Sequence, residues 1–238
     1  MADETTPKKA AAPKAAAKPA AVDVPAGDYK LDPTHASLEF KVNHLGFSHY
    51  TARFTDFDAK LKFDPAHPET SSVEATIDPK SLFLPRPPAG FKDELTGKSW
   101  LDAGQFPAIT FRSTKVEVTG ANTAKVTGDF TLHGVTKPVV LETTFNGGYA
   151  GHAMDPHARI GFSAHGVIKR SEFGVGKYVP PDRDVTQFAL ALRAVGEPIF
   201  GMNATQISMA RLLAYLTAII RAWNLLGRRD NIHKARIK

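Results

Sequence analysis

The sequence predicts an all-β fold in which an antiparallel sheet curls and closes on itself. Across residues 28–200, apolar and polar side chains alternate over long runs, for example at 36–43 and 57–64. A period of two places one face of a strand in a core and the other in water, which is typical of antiparallel sheets. Turn-forming pairs such as Asp64-Pro65 and His133-Gly134 separate these runs.

The alternation changes phase at two places. Phe54 and Phe57 are an odd number of residues apart, and so are Phe111 and Val116. A shift of one residue reverses the face on which a side chain lies, so each slip predicts a bulge or a corner. Long strands that contain such irregularities suit a sheet that curls.

The individual strands are predicted from the same alternation. Residues 79–106 interrupt it, because PKSLFLP and FKDELTGKSWL have the character of short helical turns inserted between strands. The sequence shows no internal repeat. The predicted strands are 36–43, 50–55, 57–64, 72–78, 108–118, 124–133, 136–146, 159–169 and 186–193.

The N-terminal segment, residues 1–27, differs from this body. It is mostly alanine, proline and lysine. Interior prolines prevent one continuous helix and little apolar surface can be buried, so we predict a disordered linker. A secretory signal would have an apolar stretch after its basic residues, and this segment has none, although its composition resembles the start of a chain from which such a signal has been cleaved.

The C-terminal segment, 201–238, is a basic tail in which 207–226 is predicted to be an amphipathic helix. Three interpretations stay open: the helix lies on an anionic membrane surface, it packs across its own barrel or a partner protein, or it is an accident such as a shifted reading frame. Its longest charge-free stretch, 212–220, is shorter than the roughly 20 apolar residues that span a bilayer.

Composition excludes several classes of function. The 238 residues contain no cysteine, which excludes disulfide scaffolds, thiolate catalysis and iron–sulfur clusters. The formal net charge of +6 comes from the tail, because 201–238 sums to +6 and 28–200 sums to −1. A nucleic-acid-binding domain normally carries its basic patch on the folded body, so no nucleic-acid partner is expected.

The residues form no recognisable catalytic or metal-binding constellation. The nine histidines lack the short spacings of zinc sites. Ser163 and His165 share one face of a strand, but no nucleophile-elbow motif precedes them, and we expect both to face solvent. We therefore predict that the protein is not an enzyme and has no catalytic residue, no metal ligand and no cofactor.

Several stretches of the body resemble the YceI-like family. The run from Tyr29 to Ser48, YKLDPTHASLEFKVNHLGFS, is similar to the opening of that family. No single motif is specific to the family, but the order and spacing of the motifs along the chain are. The further matching stretches are DFDAKLKFD at 56–64, WLD at 100–102, FPAITFRS at 106–113, GDFTLHGVTKPV at 128–139 and KRSEFG at 169–174. The resemblance covers about 28–197, and neither terminal segment belongs to it.

This resemblance implies that 28–200 is an extended, eight-stranded, lipocalin-like barrel in a bacterial periplasmic protein. It also implies that the interior binds an isoprenoid, such as an isoprenoid quinone, or another long-chain lipid. An eight-stranded barrel is wide enough to be filled by side chains or to hold one slender ligand. The alternative is that the fifteen phenylalanines simply fill a solid core.

Strand phase assigns the residues that would form the ligand-binding wall. They are Phe40, Val42, Phe54, Ile109, Phe111, Phe130, Leu132, Leu141, Ile160, Phe162, Phe188 and Leu190. Arg170 ends a long strand at a position of the family motif, where a guanidinium could contact a polar head group. Its alternative role is a salt bridge to a carboxylate such as Glu172. Asn43 and His44 are further candidates for the head group.

Two other functions stay open at this point. The barrel could be the partner of a membrane redox protein, with peripheral membrane or membrane-protein contact through 207–226. It could also be a lipid hydrolase that uses residues at the barrel mouth. A homodimer is a further assembly that the sequence leaves open.

Overall fold

The computed structural model describes residues 23–151, 154–179 and 184–198, and it confirms the predicted antiparallel barrel. The predicted disorder of residues 1–22 and the predicted helix at 207–226 lie outside the described residues. Within the described ranges, no helix is long and apolar enough to cross a membrane.

The described chain contains eleven strand segments and one short α-helix, with all strand pairs antiparallel. The strands are β1 (Gly27–Leu31), β2 (Ser37–His44), β3 (Ser48–Phe54), β4 (Phe57–Phe63), β5 (Ser72–Ile77), β6 (Leu82–Phe83), β7 (Ile109–Val118), β8 (Thr123–Leu132), β9 (Val135–Tyr149), β10 (His157–Ile168) and β11 (Thr186–Pro198). The helix α1 (Phe91–Thr96) lies in the insert that the sequence predicts between strands.

These segments make the eight strands of a closed barrel because three of the strands are interrupted. β1 and β2 both pair with β11 and act as one strand, β3 and β4 act as a second, and β5 and β6 as a third. The order around the ring is then β1/β2, β3/β4, β5/β6, β7, β8, β9, β10 and β11. The ring closes where Tyr29 of β1 lies opposite Gly196 of β11.

Two of the interruptions have the same local cause. The sequences at 32–34 and 78–80 are Asp-Pro-Thr and Asp-Pro-Lys, and each begins a single turn of 3-10 helix. The aspartate caps the turn by accepting a backbone N–H, and proline occupies the first helical position. Because proline has no N–H to donate to a sheet, the strand stops there.

The third interruption lies at residues 55–56, between Phe54 and Phe57, and confirms the first predicted phase slip. It is held beside the 3-10 turn at 79–81, since the Thr55 N–H donates to the Ser81 carbonyl at 3.2 Å. The break between β3 and β4 therefore lies beside the break between β5 and β6, at the same height along the barrel axis.

The second predicted phase slip is a β-bulge in β7. The pairing of β7 with β8 shifts register between Ser113 and Lys115. The extra residue restores the phase, so that Phe111 and Val116 both face the interior. On the other side of β7, the described pairing with β5 ends at Arg112. β5 itself begins at Ser72, and its Val73 N–H donates to Ser113 Oγ at 2.9 Å beside the bulge.

The two ends of the barrel differ. We call the end with the β2–β3 hairpin and residues 169–179 the wide end, and the end with the β7–β8 turn (119–122) the narrow end. Part of the narrow end is closed by a packed cluster that includes Tyr29, Ile160 and Val24, with Val24 only 6% exposed. Val24 lies within the segment 1–27 that the sequence predicts to be a disordered linker, and the structure buries it against the barrel. The boundary between 27 and 28 stays a prediction.

Candidate ligand cavity

A large cavity of about 670 Å³ lies in the wide half of the barrel. Its walls come from inward-facing residues of several strands and from the insert, including Phe91, Leu95 and Trp100. The insert forms a wall because it covers the gap between β6 and β7, where Leu84 and Leu82 are buried against it. The lining is mostly apolar, with polar residues near the wide end, so the cavity suits a hydrophobic molecule.

A smaller cavity of about 200 Å³ lies in the narrow half. Residues of the β4–β5 loop, such as Pro65 and Pro68, and of the β7–β8 turn, such as Ala121 and Asn122, form its outer rim. Ala121 and Asn122 are exposed, so the cavity reaches solvent there.

The two cavities adjoin each other along the barrel axis. Leu38 and Ile77 line both of them. On β11 the inward residues Phe188 and Leu190, two positions apart, line the large and the small cavity respectively. Leu38 and Ile77 pack in one core cluster with side chains of β7 and β11, so packed side chains separate the two cavities.

Eleven of the twelve predicted wall residues line these cavities, although ligand contact itself stays a prediction. The large cavity is lined by Phe40, Val42, Phe54, Ile109, Phe130, Leu132 and Phe188, and the small one by Phe111, Leu141, Phe162 and Leu190. Ile160 is the exception. It faces inward but is 1% exposed and packs with Tyr29 and Val24 in the narrow-end cluster. Ile160 therefore does not line either of these cavities, because strand phase gives the face of a residue and not its depth. Its contact with a ligand stays a prediction.

Arg170 lines the large cavity near the wide end. Its guanidinium lies 5.2 Å from the centre of the Trp100 ring and donates to the Val175 carbonyl at 3.3 Å. Burial lowers the pKa of Arg170, and the negative charge of Asp184 opposes that effect. Glu172, the carboxylate considered from the sequence, instead lies 3.5 Å from Lys137 Nζ.

The other two head-group candidates, Asn43 and His44, also line the large cavity. Asn43 has a structural role as well, because its Oδ1 accepts the Gly46 N–H at 2.8 Å and closes the β2–β3 hairpin. His44 is exposed, and its ring packs edge-on against Phe47. Both residues therefore border the cavity from its rim.

The sequence reasoning missed two polar residues of the large cavity, Trp100 and Thr186. Trp100 Nε1 and Thr186 Oγ1 are buried and have no hydrogen-bond partner in the described part of the chain. A buried polar atom without a partner is costly, so each marks a place where a ligand atom could bond. Thr186 lies two residues before Phe188 and four before Leu190 on the same strand, so the alternation could have predicted that it faces the interior. The insert that carries Trp100 has no regular alternation from which its position could be predicted.

The structure brings together no group of three or more His, Asp or Glu side chains suited to a metal ion in the ranges it describes. Ser163 and His165 are exposed on the outer face of β10, as the sequence predicts. Ser163 Oγ accepts from Asn146 Nδ2 at 2.8 Å rather than from a histidine.

The fold and the cavity define a lipocalin-like barrel, a class whose interior is wide enough to hold one small ligand. Residues 29–194 match the profile of the YceI-like domain. The chain belongs to the YceI-like family.

Three known proteins illustrate the similarity. A UPF0312 protein of Pseudomonas fluorescens is 43% identical over 164 residues, covering 65% of this chain and 80% of that protein. The crystal structure of Burkholderia cenocepacia BcnA is 28% identical, with a TM-score of 0.59, covering 68% of this chain and 98% of that one. A polyisoprenoid binding domain from Saccharophagus degradans, implicated in plant cell wall breakdown, is 15% identical with a TM-score of 0.52 over 71% of this chain and 98% of its own, and shows the shared fold.

Proposed function

We propose that this protein binds one isoprenoid or other long-chain lipid inside its barrel and catalyses no reaction on it. The observation that carries the proposal is the apolar cavity of about 670 Å³, which is within the roughly 300–1,000 Å³ of small-molecule sites. The fold shared with a polyisoprenoid binding domain supports the same class of ligand.

The size of the cavity argues against a simple packing defect. Protein interiors contain few voids larger than a water molecule. At ~24 cal/mol per Å³ of unfilled space, a dry void of this volume would cost about 16 kcal/mol. That exceeds the total stability of a typical domain, about 5–15 kcal/mol. The cavity opens to solvent at the wide end, where its lining residues Leu45 and Tyr178 are exposed, so either water or a ligand occupies it. An apolar chain that replaces the water gains about 25 cal/mol for each Å² that it removes from water.

The polar atoms near the wide end favour a neutral head group that accepts hydrogen bonds. The Trp100 Nε1–H and the Arg170 guanidinium are donors, and the Thr186 hydroxyl can donate. Asp184, 4% exposed, accepts from the Ser171 N–H and hydroxyl. Its charge offsets that of Arg170, so a carbonyl or hydroxyl oxygen, as in a quinone-like head group, fits better than a multiply charged phosphate.

A charge placed in the large cavity tests this function. Val42 is half-buried on β2 near the wide end and lines the cavity. We expect Val42→Asp to weaken binding of farnesol by delipidated protein by about tenfold or more, because a bound chain would strip water from the carboxylate. The measurement is a titration followed by the fluorescence of the protein's tryptophans, of which Trp100 lines the cavity.

The matched control is Val167→Asp on the outer face of β10, where Val167 is 55% exposed. It introduces the same carboxylate and should leave farnesol affinity within about twofold, since that carboxylate stays hydrated. Equal affinity of wild type, Val42→Asp and Val167→Asp would contradict ligand binding in the barrel.

The other expectations from the sequence stay proposals. We propose a periplasmic location, which fractionation of the source cell would test. Contact with a membrane or a membrane redox protein through 207–226, and assembly as a homodimer, stay predictions as well.

A further inference from the structure

We infer that the smaller cavity receives the far end of the bound chain, and that Leu38 and Ile77 form the constriction through which the chain passes. This inference rests on the proposed function and extends it, since it names the length of chain that the barrel selects. Its occupant is the distal part of the same ligand whose head group lies at the wide end.

The adjacency of the two cavities supports this route. Leu38 and Ile77 line both, from opposite sides of the break between β3 and β4. On β7, Ile109 lines the large cavity, and Phe111, the next inward residue, lines the small one. Passage of a chain between the cavities requires these two aliphatic side chains to rotate about their bonds.

The walls of the small cavity suit a hydrocarbon chain and little else. Its central lining consists of residues such as Leu61, Ala75, Ala164 and Leu192, all apolar. The polar lining residues, among them Asn122 and Ser71, lie at the narrow-end rim. Because the rim opens to solvent, water in the small cavity can leave as a chain enters from the other side.

The dimensions indicate which chains reach the small cavity. From Val42 to Leu38, β2 spans roughly 14 Å at ~3.4 Å per residue. From Phe57 to Phe63, the β4 residues that line the small cavity span roughly 20 Å more. At about 1.2 Å per bond of an extended chain, farnesol is about as long as the Val42–Leu38 span, and the longer geranylgeraniol extends past Leu38.

The test compares these two isoprenoid alcohols on delipidated, full-length protein. Wild type should bind geranylgeraniol about tenfold or more tightly than farnesol, because the additional isoprene unit is buried in the small cavity. Ala164→Leu and Ala75→Leu fill the small cavity from β10 and β5 respectively. Each should reduce that ratio to about twofold or less while leaving farnesol affinity close to that of wild type.

The control is Ala189→Leu, because Ala189 is exposed on the outer face of β11. It should preserve the wild-type ratio, and thermal melting establishes that each variant is folded. Two variants on different strands keep the test decisive if one of them does not fold. Binding of both alcohols with the same ratio in wild type and in the filled variants would overturn this inference alone. Failure of wild type to bind either alcohol would overturn the proposed function, and the inference with it.

Discussion

Replacement of Asp32 by alanine will lower the free energy of unfolding by about 2–3 kcal/mol, because it removes a buried acceptor that the Thr34 hydroxyl and two partly exposed guanidiniums share. Asp32 is only 7% exposed and lies at the interruption between β1 and β2. Its Oδ2 lies 3.2 Å from Arg159 Nη1 on β10 and 2.9 Å from Arg193 Nε on β11. Its Oδ1 accepts from the Thr34 hydroxyl at 2.6 Å. One carboxylate thus ties three strands together where the ring closes.

Urea unfolding of the full chain measures this loss. Asp28→Ala, on the exposed part of β1, is the matched control and should change stability by less than about 0.5 kcal/mol. A loss below about 1 kcal/mol for Asp32→Ala would contradict a structural role for the network, because surface ion pairs contribute no more than that.

The same network predicts how stability depends on pH. Burial alone would raise the pKa of Asp32, but hydrogen bonds from Thr34 and the charges of Arg193 and His35 outweigh it and hold that pKa below its ordinary value. The Arg159 guanidinium, foremost among its partners, holds the pKa of Asp155 well below its usual range. A carboxylate with a lowered folded-state pKa stabilises the fold above its ordinary pKa, near 4, and loses that contribution as pH falls further.

The urea midpoint should therefore fall steeply below about pH 4, where unfolded carboxylates begin to bind protons. Asp32→Asn should show a smaller fall than wild type, because one of the linked carboxylates is gone. An identical slope in the two proteins would show that Asp32 does not contribute to the acid transition.

Phe173→Ala is the second change with a large expected effect, a loss of about 3–5 kcal/mol. Phe173 is 2% exposed and ends the 3-10 helix Arg170–Phe173, with its ring 5.5 Å from that of Phe130 at an angle of 82°. The next residue, Gly174, has a φ of +76°, a conformation that glycine adopts without strain. The buried ring therefore anchors the turn that places Arg170 at the large cavity.

The loss is measured by urea unfolding, with Phe47→Ala as the control because Phe47 is 79% exposed at the β2–β3 hairpin. We expect the control to change stability by less than about 0.5 kcal/mol. Since Arg170 shares the anchored turn, Phe173→Ala should also weaken lipid binding in protein that is still folded. A variant as stable as wild type would show that the turn is held by other contacts.

Much of this fold could be predicted from the sequence because its determinants are local. Period-two alternation located the long strands, and the phase slips at 54–57 and 111–116 correspond to a strand break and a bulge. The aspartate–proline pairs that interrupt two other strands are equally local signals. The buried Val24 was missed because its partners, such as Ile160, are far away in sequence.

The site was only partly predictable, for a physical reason. Alternation gives the face of a residue, so Phe40 and Phe111 were both assigned to the interior. It does not give depth along the barrel axis, which separates Ile160 in the packed cluster from Phe162 in the small cavity. The contact of Arg170 with Trp100 joins residues from two segments outside the regular strands, where no periodic signal exists.

Native mass spectrometry of the freshly purified full-length protein, with organic extraction of anything bound, tests lipid binding in the barrel most directly. We predict a one-to-one complex whose additional mass is an isoprenoid or other long-chain lipid. That mass should be released by organic solvent and be less abundant in Val42→Asp, which is expected to bind lipid more weakly. A ligand-free mass that stays unchanged after incubation with farnesol, geranylgeraniol and a long-chain fatty acid would contradict lipid binding, because the barrel would then hold no lipid.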